Sequence, residues 1–374
     1  MSRAHALLSA SSAKRWISCP PSAKLQEQFE DKGSAYAEQG TDAHSLGEWK
    51  IRTQLGESLP DPRSALRYFD KEMDDHTSAY AAYVLDTLAE ARQDCKDPLL
   101  LIEQRVDFSA WVPDAFGTAD AVICGNGSLH IIDLKYGSGV EVNAENNPQL
   151  SCYALGSLEL LDDLYGIDTI TMTIFQPRRE NISTWTVRKD DLLAWAEDTL
   201  RPAAQLAAAG EGEFHSGEHC RFCKARHACR TRADAQMRLM KYDFQLPPTL
   251  TDEDVEDILG QVDSLISWAE DIKAYALDAA IGGKNWHGYK LVEGRSNRRY
   301  TDEDAVAQAV IALGKDPYER RLLGITAMTS LLGKKQFKET LGSLIEKPQG
   351  KPTLVPESDK RPALAHTDFE NEGE

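Results

Sequence analysis

The chain has 374 residues, 41% of them hydrophobic and 27% charged, with a formal net charge of −18. These proportions fit a globular protein with one sizeable core plus appended modules, and they exclude a disordered or fibrous chain. So acidic a balance also excludes a protein that coats nucleic acid indiscriminately, but not an enzyme that grips it through a local basic track. The apolar runs at 99–102 and 306–313 are too short to cross a bilayer, and residues 1–14 lack the apolar core of a signal peptide, so a cytoplasmic location is expected.

Residues 8–28 open with Ser9, Ser11 and Ser12 as caps and predict a short helix. Residues 41–55 predict a second, with His44 in its first turn after Gly40-Thr41-Asp42-Ala43, and 80–94 an amphipathic third. Residues 99–108 read as a strand containing Glu103. Two strand-like runs, 117–124 and 128–136, surround Gly125-Asn126-Gly127, a strong hairpin signal. Residues 146–160 predict a helix, 169–175 and 182–187 alternating β-branched strands, and 190–209 a helix. The order β-β-β-α-β-β-α predicts an α/β fold, a mixed sheet flanked by helices.

The composition then changes. Pro247-Pro248 and 249–254 read as a linker and the start of a long helix reaching about residue 280. Residues 286–294 read as a short strand pair, and 302–313 and 334–345 as helices. The tail from Pro348, rich in Pro, Lys, Asp and Glu, is expected to be mobile. The expected organisation is a core at 1–240, a mostly helical domain at 249–346 and a flexible tail at 347–374.

The hairpin carries the candidate chemistry. Asp120 lies on its first strand, and Asp133 and Lys135 stand two apart on its second, so they share a face. Leu134 points away, with its carbonyl in reach of a metal bound there. A hard cation such as Mg²⁺ takes one or two carboxylates and keeps several waters, and His44 adds a nitrogen ligand. Such a cation with a nearby ammonium is what phosphodiester hydrolysis requires. Gln149 and Tyr153, one helical turn apart, face the same cleft. An Asp-x-Lys pair by itself reads sooner as a cross-strand salt bridge; the ordered set around it is what points to a site.

Cys95, Cys124 and Cys152 stand alone in apolar settings and read as buried structural thiols. Cys220, Cys223 and Cys229 form a C-x2-C-x5-C group, and Cys19 precedes Pro20-Pro21, a pattern of metal or cluster ligation in a cytosolic protein. Two basic stretches are candidate DNA tracks or merely solvated faces: Arg221, Lys224, Arg226, Arg230, Arg232, Arg238 and Lys241, then Lys284, Lys290, Arg295, Arg298 and Arg299.

The ordered set over residues 8–229 resembles the RecB-like exonuclease branch of the PD-(D/E)XK superfamily. The resemblance implies a restriction-endonuclease-like fold and Mg²⁺- or Mn²⁺-dependent cleavage of DNA at ends or in single strands. His44, Asp120 and Asp133 become metal ligands, Lys135 the catalytic lysine, and Gln149 and Tyr153 a Gln-x3-Tyr motif, with Glu103 a lesser candidate. The early Cys followed by a triplet resembles the iron–sulfur nucleases of the CRISPR-associated and AddB type, which implies a 4Fe-4S cluster on Cys19, Cys220, Cys223 and Cys229. A structural Zn²⁺ on the same ligands, or with His219 or His227 substituting, is the alternative. Residues 288–299 and 333–362 resemble a phage and prophage family catalogued as domain of unknown function 2800. That implies a setting in DNA recombination or replication, with DNA as partner and a phage single-strand-binding or recombination protein as another. A catalytically idle DNA-binding or assembly protein of the same fold is the competing reading.

Overall fold

Asn126 and Gly127, with φ of 48° and 74°, close the hairpin as the two positive values of a type I′ turn. In the computed structural model, which describes residues 6–30, 33–239, 250–293, 300–318 and 322–345, this hairpin lies inside one five-stranded sheet. Its strands are β1 (Leu99–Asp107), β2 (Phe116–Gly125), β3 (Ser128–Leu134), β4 (Thr169–Gln176) and β5 (Asn181–Arg188), in that spatial order. Only β3 and β4 pair in parallel. A parallel pair needs a crossover, and the helix between them supplies it.

The helices of this part are α1 (Ala13–Ser18), α2 (Ser22–Leu25), α3 (Ala35–Gln54), α4 (Lys71–Asp94), α5 (Pro148–Tyr165), α6 (Lys189–Trp195) and α7 (Arg201–Ala209). α3 and α4 cover one face, burying Leu46, Ile51, Tyr80 and Val84 with Ala121, Ile123, Ile132 and Leu134. α5, α1 and α6–α7 cover the other, burying Leu150, Leu155 and Trp16 with Val122, Cys124, Leu129 and Ile131. The period of two along β3 puts Asp133 on the α5 side, whereas along β2 Ala119 and Ala121 fall on opposite faces, so the alternation breaks at Asp120, which meets His44 of α3.

Three boundaries differ from expectation, each for a local reason. Ser34 Oγ accepts the Ala37 N–H at 3.1 Å, so α3 starts at Ala35, the expected turn Gly40–Ala43 lies inside it, and His44 sits mid-helix rather than in the first turn. Asp70 caps α4 through the Met73 N–H at 2.7 Å, starting it earlier than 80. The single helix expected over 8–28 breaks at Cys19-Pro20-Pro21 into α1 and α2, because proline has no N–H to continue a helix.

The chain divides into two compact units, Met1–Leu291 and Val292–Glu374. The first also holds α8 (Arg230–Met237) and α9 (Asp252–Ile281); the described part of the second holds α10 (Glu303–Ala312), α11 (Ile325–Leu332) and α12 (Lys334–Leu341). The strand pair expected at 286–294 does not form in 286–293. Instead Trp286 folds back on α9, its Nε1 donating to the Ala276 carbonyl at 2.9 Å. Gly294, the linker 247–249 and the tail 347–374 lie outside the described residues. No described helix is long and apolar enough to cross a membrane.

The helix α5, which carries Gln149 and Tyr153, lies very close to β1. A Cβ at Gly156 would stand 2.9 Å from Val106 Cβ and 3.0 Å from the Asp107 carbonyl oxygen. Gly156→Ala must push helix and strand apart and is expected to destabilise the protein by about 1–3 kcal/mol, read from chemical denaturation. An unchanged midpoint would show that the helix can move freely there.

Candidate active site

The β2–β3 ladder ends at the pair Ala121–Ile132. The next positions across the hairpin are Asp120 and Asp133, and like charges directly opposite disfavour further pairing. β3 continues instead with β4 as far as Leu134–Phe175. Where backbone pairing stops, the Leu134 N–H donates to Asp120 Oδ2 at 2.7 Å. On the other side Glu103 falls between the pairs Ile102–Ala121 and Gln104–Ala119, opposite Asp120 in the register. Its φ of 49° is strained for a non-glycine residue within a strand. Three carboxylates thus form one row across β1, β2 and β3.

Asp120 and Asp133 are 7% and 1% exposed, deep enough that each needs a compensating partner. His44 Nδ1 lies 3.3 Å from Asp120 Oδ1 and 3.8 Å from Glu103 Oε1. Lys135 Nζ lies 2.8 Å from Asp133 Oδ2 and donates to Gln149 Oε1 at 3.0 Å. Gln149 Nε2 donates to Asp133 Oδ1 at 3.3 Å and to Tyr153 Oη at 2.9 Å. All six side chains singled out in the sequence therefore meet. Leu134, expected to offer its carbonyl, meets Asp120 through its N–H, and its side chain packs on the opposite face. Glu103, ranked below the others from sequence, belongs to the same group. Its signal is a lone carboxylate ending the apolar run 99–102.

The charges hold one another in place. Burial alone would depress the His44 imidazolium, but Asp120, Glu103 and Asp133 lift it to about 10. Burial would raise Asp120, but His44, Lys135 and the Leu134 N–H hold it below the usual carboxylate range. Asp133 is pushed up to about 6 by burial, opposed by Lys135 and reinforced by Asp120. Burial, with the Asp133 charge, keeps Tyr153 a neutral hydroxyl. His44, Glu103 and Asp120 each offer a ligand atom, all within 4.8 Å of one another, the one such group among the described residues. Asp133 Oδ2 is buried and faces the Lys135 ammonium at 2.8 Å. Carboxylates with one imidazole suit Mg²⁺ or Mn²⁺.

A second cluster forms at the cysteines. Tight turns bring the triplet together, the Cys223 N–H donating to the Cys220 carbonyl at 3.1 Å and the Arg226 N–H to that of Cys223 at 3.1 Å. Cys19, Cys220, Cys223 and Cys229 line one cavity with His215, His219 and Arg232. The N-terminal segment is fastened there by the Lys224 N–H on Gln26 Oε1 at 3.0 Å and by Lys14 on Glu218 at 3.0 Å. No three of these thiols and imidazoles lie within 4.8 Å of one another, whereas tetrahedral zinc would draw its sulfurs to about 3.8 Å apart. His227 is stacked on Tyr275 at 4.1 Å and does not line the cavity. Cys124 and Cys152 are buried as expected, but Cys95 is only partly so.

The first basic stretch is not one continuous track. Arg226 and Arg232 turn to Asp271 on α9, at 2.7 and 2.5 Å, and Arg232 is buried. In the second, Lys284 stands over the Trp286 ring at 4.0 Å. Lys241, Arg295, Arg298 and Arg299 lie outside the described residues.

The raised pKa of His44 has a definite sign in stability. Its folded value of about 10 lies above the ordinary 6.5, so its contribution is complete below pH 6.5 and is lost as pH rises through about 10. In metal-free protein, denaturation midpoints should fall over that window more steeply for the wild type than for His44→Gln. Parallel curves would place the titration elsewhere.

Among solved structures, one described as "Crystal structure of SSO0001" is 11% identical, with 50% of this chain and 95% of that one covered at a TM-score of 0.22. A likeness so slight carries no argument. The family model described as "Protein of unknown function (DUF2800)" matches residues 5–362. With that match over nearly its whole length, the chain belongs to the DUF2800 family.

Proposed function

We propose that this protein is a Mg²⁺- or Mn²⁺-dependent DNA nuclease of RecB-like PD-(D/E)XK type, acting on ends or single strands. The observation that carries this reading is the buried cross-strand pair Asp120 and Asp133, with Lys135 on the same strand face and His44 and Glu103 alongside. His44, Glu103 and Asp120 would hold the cation, with Asp133 at its edge. When bound, the cation neutralises phosphate charge and lowers the pKa of a water.

The chain's own residues supply the rest. Lys135 orients the attacking water and offsets the charge that develops on the phosphate. Gln149 fixes Lys135 and Asp133 relative to each other by bonding to both. Tyr153, held neutral and braced by Gln149, remains a donor for positioning the strand. A site retired from catalysis would have no physical reason to keep two like charges buried face to face, which weighs against an idle scaffold.

The same reading gives Cys19, Cys220, Cys223 and Cys229 an iron–sulfur cluster. Its support is the convergence of four thiols on one cavity. Arg15 adds to it: burial depresses the guanidinium, while Cys223 and Cys19 counteract that effect, so a cation faces the thiols.

Two experiments test these assignments. Asp120→Ala and Asp133→Ala should abolish digestion of a labelled oligonucleotide, and Lys135→Ala should lower turnover about 10²–10³-fold while keeping metal affinity. Undiminished digestion by both aspartate variants overturns the nuclease reading. Protein purified without oxygen should be brown, with about four irons and four sulfides per chain. Cys19→Ala should bleach it and Cys152→Ala should not, whereas a colourless protein with one zinc rejects the cluster.

A further inference from the structure

Tyr80, on α4, is 2% exposed, and its hydroxyl has no hydrogen-bond partner among the described residues. A buried hydroxyl without a partner is costly, and its retention calls for an explanation. The place of the ring gives one. Tyr80 Cδ1 and Cε1 lie 3.1 and 3.3 Å from where a Cβ on Gly47 would stand, and Leu134 Cδ2 lies 3.7 Å from the same point. Gly47 follows His44 by three residues and so shares its side of α3. Leu134 is the residue whose N–H binds Asp120. The ring is thus held between the helix that presents His44 and the strand residue that fixes Asp120, with Phe175 packed on it at 5.6 Å. Glycine at 47 is what admits it. The charges of Asp120, Asp133 and Glu103 all act on the hydroxyl, which burial keeps neutral.

We propose that Tyr80 is a positioning residue of this site, its hydroxyl donating a hydrogen bond to a water carried by the bound divalent cation. This rests on the reading that the row of carboxylates binds such a cation. A phenol without a partner among the described residues would gain one when the metal and its water enter. Loading then relieves the unpaired hydroxyl. An ordinary core tyrosine has no such link between its hydroxyl and metal affinity.

Tyr80→Phe removes the one oxygen and leaves the ring in its seat. Mn²⁺ binding would be measured by calorimetry and thermal melting with and without Mn²⁺, for wild type and variant. The expected result is a metal-free melting temperature equal to or above that of wild type, with Mn²⁺ affinity reduced about three- to tenfold. Mn²⁺ affinity equal to wild type overturns the proposal, whatever the melting temperature does. Wild-type protein that binds no Mn²⁺ overturns the metal reading beneath it, so the two failures are distinguishable. Gly47→Ala gives an independent check, since it presses on the ring without removing the hydroxyl. It should weaken Mn²⁺ binding in the wild-type background and have a smaller effect in Tyr80→Phe; equal effects in both would overturn the link.

Discussion

Two carboxylates buried face to face, Asp120 and Asp133, are the constraint around which the sheet is built. Neither has water enough to screen its charge, so the surrounding elements are arranged to compensate them. β2 and β3 part at this point, and a backbone N–H takes over from the ladder. α3 presents His44, β3 presents Lys135 one residue beyond its end, and α5 presents Gln149 as a brace. The compensation is incomplete. Asp133 is still pushed upward, Glu103 is strained and the Tyr80 hydroxyl has no partner among the described residues. Such residual cost, concentrated at one place, is what the proposed cation site accounts for.

The cysteine cavity works on the same part of the molecule from a distance. It gathers α1 and α2 to the segment after α7, and through Arg226 and Arg232 to Asp271 on α9. The N-terminal segment in turn packs on α5, the helix of Gln149 and Tyr153. A cofactor in the cavity would therefore stabilise the support of the site without touching it. Two arginines that look like a DNA track in the sequence are part of that fastening.

Much of this is legible in the sequence because the relevant signals are local. Asn126-Gly127 fixes the hairpin, and period-two alternation fixes which side Asp133 and Lys135 share. Gln149 and Tyr153 follow from helical spacing. The misses come from interactions that no window contains. The turn expected at Gly40–Ala43 puts His44 in a first turn, yet Ser34 caps the helix far upstream. Trp286 begins an expected strand pair, but its indole has a carbonyl partner on α9. Tyr80 fits an amphipathic core stripe perfectly well in sequence. Only its hydroxyl, without a partner among the described residues, sets it apart, and that is a three-dimensional property.

The central claim is that the row formed by Glu103, Asp120 and Asp133 with His44 is a divalent-cation site. Diffraction from crystals soaked in Mn²⁺, recorded near the manganese edge, tests this most directly. The account predicts one strong anomalous peak within coordinating distance of His44, Glu103 and Asp120, with its height reduced in Asp120→Ala. Saturating Mn²⁺ that leaves this position empty, or a peak held by other residues, would contradict it.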